Sequence, residues 1–85
     1  MTPEAAADLA DRIYAAISRG EELNEGRIGS DRVAADRQRI VSDLAGLRLL
    51  DEEFRGCVRA ESYDALRDLF VTDLRRTAGL YGVDA

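Results

Sequence analysis

"LLDEEFRGCVRAESYDALRDLF", residues 49–70, decides how many helices this chain forms. At about 100° per residue, Phe54, Cys57, Val58 and Ala65 share one helical face. Tyr63, Leu66, Phe70, Leu74, Thr77 and Tyr81 share another, rotated from the first by more than about 100°. One straight helix cannot bury both. The phase shift therefore predicts a break near Arg59–Ser62, with a short helix over 51–60 and a longer one over 63–78 capped by Ser62. With that break, Phe54 and Phe70 both enter a common core. A continuous bent helix over 51–78 is the rival arrangement. Gly79 fits a left-handed position just past the last helix, with Leu80 folding back on Leu74.

Upstream, "TPEAAADLADRIYAAISRG" (2–20) predicts a helix over 3–19. Thr2 is the N-cap, Pro3 the first helical residue, and Arg19-Gly20 the stop. Ala6, Leu9, Ala10, Ile13, Ala16 and Ile17 recur at three- and four-residue spacing and mark the buried face. Much of that face is alanine, so another helix approaches it closely.

A second helix is expected over 31–48. Its stripe comprises Val33, Ile40, Val41, Leu44 and Leu47, with Arg37 and Arg48 on the same line. Either their aliphatic stems lie over the core edge or their guanidinium groups meet carboxylates across an interface. Arg32, Asp36, Arg39 and Asp43 alternate in sign on the other side and read as a solvated face. With no repeat and no strand-like alternation, residues 1–85 read as one all-α domain, a three- to four-helix bundle completed or stabilised by oligomerisation.

Between the first two helices lies "LNEGRIGSDR" (23–32). Glycines beside a helix start, with Arg27 and Arg32 adding charge, suggest an anion site formed by Arg27, Gly29, Ser30 and Arg32. The segment lacks the spacing and lysine of a phosphate-binding loop, and no strand precedes it. A plain joint, with Ser30 or Asp31 capping the next helix, explains every residue. The acids of "DEEF" (51–54) invite a metal reading, but successive carboxylates on a helix diverge, and a helix start favours acids anyway.

Composition narrows the function. Seventeen acids oppose twelve bases, giving −5, and every base is arginine. That usage fits a GC-rich bacterial genome. The chain has no histidine, which excludes histidine acid–base catalysis and the commonest metal ligand. One cysteine, Cys57, forms neither an internal disulfide nor a thiolate zinc site and reads as a buried structural thiol. No apolar run spans a bilayer and the start lacks a signal-peptide pattern, so a cytoplasmic protein without membrane contact is expected.

No catalytic residue, metal or cofactor is implied. The core is short of large residues, and small domains so placed gain stability from a partner chain. The expected role is a protein–protein interaction module, as an accessory, adaptor or regulatory subunit. It would act as a homo-oligomer or with a protein partner, with Ile13, Ile17, Arg37 and Arg48 as candidate interface residues. Two alternatives remain. One is a small DNA-associated regulator using the Arg-rich middle segment, although the net charge disfavours nucleic acid. The other is a small helical enzyme with an arginine-lined site.

Overall fold

The computed structural model describes residues 1–23, 30–56 and 59–84. Among them are three α-helices and no strand: α1 (Pro3–Leu23), α2 (Ser30–Glu52) and α3 (Ala60–Leu80). Each helix packs on the other two, and the widest contact joins α2 to α3. The fold is an elongated all-α bundle, 46 × 21 × 16 Å.

α1 begins as its sequence predicts. The Thr2 hydroxyl accepts a hydrogen bond from the Ala5 N–H at 3.1 Å, and the Thr2 carbonyl accepts from Ala6 at 2.9 Å. Ala6, Leu9, Ala10, Ile13 and Ile17 are buried along one face. The expected stop at Arg19-Gly20 does not occur. Gly20 sits inside a helix that runs to Leu23, because one helical glycine costs only about 1 kcal/mol and does not break the ladder.

The break between α2 and α3 falls earlier than its sequence suggests, and among the described residues of 51–60 no separate short helix is formed. α2 continues through Asp51 and Glu52, since Leu47 and Leu50 extend its buried seam. Glu53 and Phe54 both donate their N–H to the Leu49 carbonyl, at 2.9 and 3.3 Å, and the chain then turns through Gly56 at φ +86°. The acids of "DEEF" therefore close a helix instead of opening one, against its dipole. An Arg55–Asp51 ion pair at 3.6 Å offsets part of that penalty. Phe54, expected in the core, is 40 % exposed beyond the helix end.

Ser62 is not the cap of α3. That helix starts three residues sooner, with Arg59 at the N-cap and no side-chain bond closing it. At the other end Gly79 is helical, and the left-handed residue is Gly82 at φ +71°. Val83 N–H bonds the Ala78 carbonyl at 2.9 Å and Gly82 N–H bonds Gly79 at 3.2 Å, the paired bonds of a Schellman cap. Val83 then packs on the core, whereas Leu80 stays exposed.

The α2 stripe is also rotated from the expected one. Val33, Asp36, Ile40, Asp43, Leu47 and Leu50 are buried, at spacings of three and four. Val41 is 53 % exposed. Two carboxylates thus occupy positions that heptad logic gives to apolar residues.

Candidate functional site

α2 and α3 run antiparallel, and three aspartates of α2 each meet a polar partner on α3 or at its C-cap. At one end Tyr81 donates its hydroxyl to Asp36 Oδ2 at 2.6 Å. Burial is the main reason the phenol is pushed up to about 12, helped by its bond to Asp36 and that carboxylate's charge and opposed by Arg32 and Arg37. At the other end Tyr63 reaches Asp51 Oδ1 at 3.4 Å. Between them Asp43 faces Asp73 within hydrogen-bonding range.

That middle rung is unusual. Asp43 is 6 % exposed, and its Oδ2 is buried with no hydrogen-bond partner. Burial first, then the bond to Asp73 and its negative charge, push the carboxyl up to about 7, while Arg39 pulls it back. Protonation lets Asp43 donate toward Asp73 and removes a naked charge from the seam. Asp73 is held from its open side by Arg76 at 2.9 Å and by Arg39 at 3.9 Å. Thr77, fully buried one turn on, bonds the Asp73 carbonyl at 3.1 Å.

Gly46 belongs to the same seam. A Cβ there would lie 2.5 Å from Cζ of Phe70, so the ring rests on bare α2 backbone. Phe70 is half-buried by that contact.

Outside the seam, Leu66, Leu69 and Leu80 are 41 %, 64 % and 44 % exposed. Together with Ser62, Asp73 and Arg76 they recur every three or four residues along α3. Each stands one position before a member of the inner stripe of Tyr63, Arg67, Phe70, Leu74, Thr77 and Tyr81. α3 therefore carries two adjacent seams, one packed against α1 and α2 and one open, with Asp73 at their border, 31 % exposed and shared with Asp43 and Arg39 of α2.

A concavity of about 350 Å³ lies where the start of α1 meets the loop end of α2 and α3. Leu47, Leu50, Arg55, Tyr63 and Arg67 line it. Its cations are engaged: Arg55 with Asp51, and Arg67 with the Met1 carbonyl at 2.9 Å. No helix among the described residues is long and apolar enough to cross a membrane, and no metal-holding cluster occurs among them.

The residues singled out from sequence fall in different places. Ile13 and Ile17 are almost completely buried in the chain's own core, which leaves them no surface to offer a partner. Arg37 is half-buried and engaged, near enough to Tyr81 to act on its phenol. Arg48 is exposed and borders a shallow recess between Glu4 and Asp51. Of the anion-site residues, Arg27 and Gly29 lie outside the described residues, as does Cys57. Ser30 opens α2, and Arg32 is exposed on its first turn.

The open α3 seam and the Asp43–Asp73 rung escaped the sequence reading. The helical spacing alone puts Leu66 on the inner stripe, one face away from its position, and Asp43 in solvent. The available signal was the alternating four-three spacing of Ser62, Leu66, Leu69, Asp73, Arg76 and Leu80. Compared with known proteins, this chain matches no family model, no curated protein and no solved structure.

Proposed function

We propose that this chain is a protein–protein association module whose docking surface is the open seam of α3. The observation that carries the reading is the exposure of Leu66, Leu69 and Leu80 at heptad spacing on one helix. Scattered surface leucines are ordinary, but a periodic stripe of them is the recognition unit of helix–helix pairing. Asp73 and Arg76 interrupt the stripe with charge, which gives such a contact a preferred register and partner.

Affinity capture on immobilised protein tests this reading. A partner, or a second copy of the chain, retained by the wild type and lost on Leu69→Glu is the expected outcome. Helix content by circular dichroism should be the same in both proteins. Equal retention by the two would move docking off α3.

A further inference from the structure

We propose that the open seam of α3 pairs with the same seam of a second copy, antiparallel, about an axis between Leu74 and Arg75. This deepens the association reading above and rests on it. The argument comes from the order of residues along the seam: Leu66, Leu69, Asp73, Arg76, Leu80. A two-fold contact must make each residue face its own counterpart's partner, so residue i meets j and j meets i.

In the register centred between Leu74 and Arg75, Asp73 faces the partner's Arg76, and Arg76 faces the partner's Asp73. Leu69 faces the partner's Leu80 on one side of that charged centre, and Leu80 faces the partner's Leu69 on the other. Each of these four layers joins like polarity or opposite charge, while Leu66 lies opposite the end of the partner's helix. Neighbouring antiparallel registers lose both ion pairs. Sliding the helices by one heptad one way opposes Leu69 to an aspartate and Leu66 to an arginine, which buries charge against hydrocarbon. Sliding a further heptad the same way pairs Leu66 with Leu69 but sets Asp73 against Ser62 and Arg76 against Arg59, so both central ion pairs are lost. Parallel pairing stacks Asp73 on Asp73 and Arg76 on Arg76.

The centre is already assembled within one chain. Arg76 holds Asp73 at 2.9 Å, with Arg39 standing by at 3.9 Å. Pairing converts this into a ring of alternating charges from both copies, with little side-chain ordering left to impose. The apolar area is small, at the low end of specific interfaces, which begin near about 1,000 Å². The dimer should accordingly be a reversible one of micromolar affinity.

Sedimentation equilibrium from low micromolar to high hundreds of micromolar tests the proposal. The wild type should pass from monomer to dimer. Arg76→Asp should raise the dissociation constant at least about tenfold, by setting acid against acid in both central layers. Asp73→Arg should do the same, and an equimolar mixture of the two variants should form a heterodimer that neither forms alone.

Asp73 also meets Asp43, so its variant risks the fold, and a covalent readout stands independent of it. With Cys57 replaced by Ser, Leu69→Cys combined with Leu80→Cys should oxidise to a linked dimer, whereas Leu69→Cys alone should not. Wild type that stays monomeric throughout, dimers indifferent to Arg76→Asp, or equal cross-linking of both cysteine variants would each overturn the proposal. A monomer that still captures another protein through Leu69 would refute self-pairing and leave the association reading standing.

Discussion

Asp43 places a different demand on Asp73 according to whether it holds a proton. Protonated, it donates across the seam; ionised, it sets one buried charge beside another. Its pKa rises from 3.8 to about 7 on folding. Below about pH 4 the carboxyl is protonated in both the folded and unfolded chain, and its contribution to stability is fully present. Between pH 4 and 7 the unfolded chain has released the proton while the folded chain keeps it, so stability falls as pH rises, and above pH 7 the contribution is gone. Thermal midpoints should therefore decline from pH 5 to pH 8, where many proteins are level. Asp43→Asn keeps a donor toward Asp73 without the titration. It should flatten that slope and raise the midpoint at pH 8 by about 5 °C. A profile as steep in Asp43→Asn as in the wild type would place the titrating group elsewhere.

Steric fit makes a second prediction at the same scale. Gly46→Ala should gain up to about 1 kcal/mol in helix propensity but displace the Phe70 ring, at about 1–3 kcal/mol, for a net loss. Combining it with Phe70→Leu should recover part of that loss, as read in a double-mutant cycle of denaturation curves. Phe54→Ala, at an exposed turn, should change stability by less than about 1 kcal/mol, whereas Phe70→Ala should cost about 2 kcal/mol or more. Two equal losses would contradict the placement of Phe54.

Among the elements, the caps differ in how they close. Thr2→Ala should cost about 1 kcal/mol, since one hydroxyl closes the start of α1. Gly82→Ala should cost a similar amount by forcing an alanine into the left-handed region, while Gly79→Ala, in open helical space, should be neutral or stabilising. Thermal melts of the three variants check this order.

These helices were unequally legible in the sequence. α1 was read nearly in full, because its cap is a hydroxyl and its buried face holds no polar residue. On α3 most of the inner stripe was read and the N-cap was not, because Arg59 closes the helix without any side-chain bond. α2 was misread because carboxylates default to solvent. Asp36 and Asp43 are buried only because Tyr81 and Asp73, some 45 and 30 positions along the chain, supply a hydroxyl and a shared proton. The turn over 53–56 was mistaken for helix for a related reason. Its acids suit a helix start in isolation, and only the buried seam continuing through Leu50 shows that they end one.

At the scale of the whole molecule, the two contacts that hold the bundle differ in kind. α2 and α3 are locked by three polar rungs that fix their register, a recognised use of buried polar groups between helices. α1 contributes a smooth face of alanine, leucine and isoleucine. Among the described residues, α1 and the residues just before it are tied to α3 and the C-terminus by exposed or half-buried bonds, Arg67 to the Met1 carbonyl and Arg12 to the Asp84 carbonyl. A smooth face has no discrete stop, so α1 is the element able to detach while the α2–α3 hairpin persists. Native-state hydrogen exchange should then resolve two cooperative openings. Amides of 6–17 should exchange through the lower one, in weak denaturant, and those of 36–47 and 67–78 only through complete unfolding. One common opening energy for all three helices would mean that the bundle behaves as a single unit. With two, the chain is a hairpin with a removable third helix, and the surface beneath α1 is exposed for a small fraction of the time.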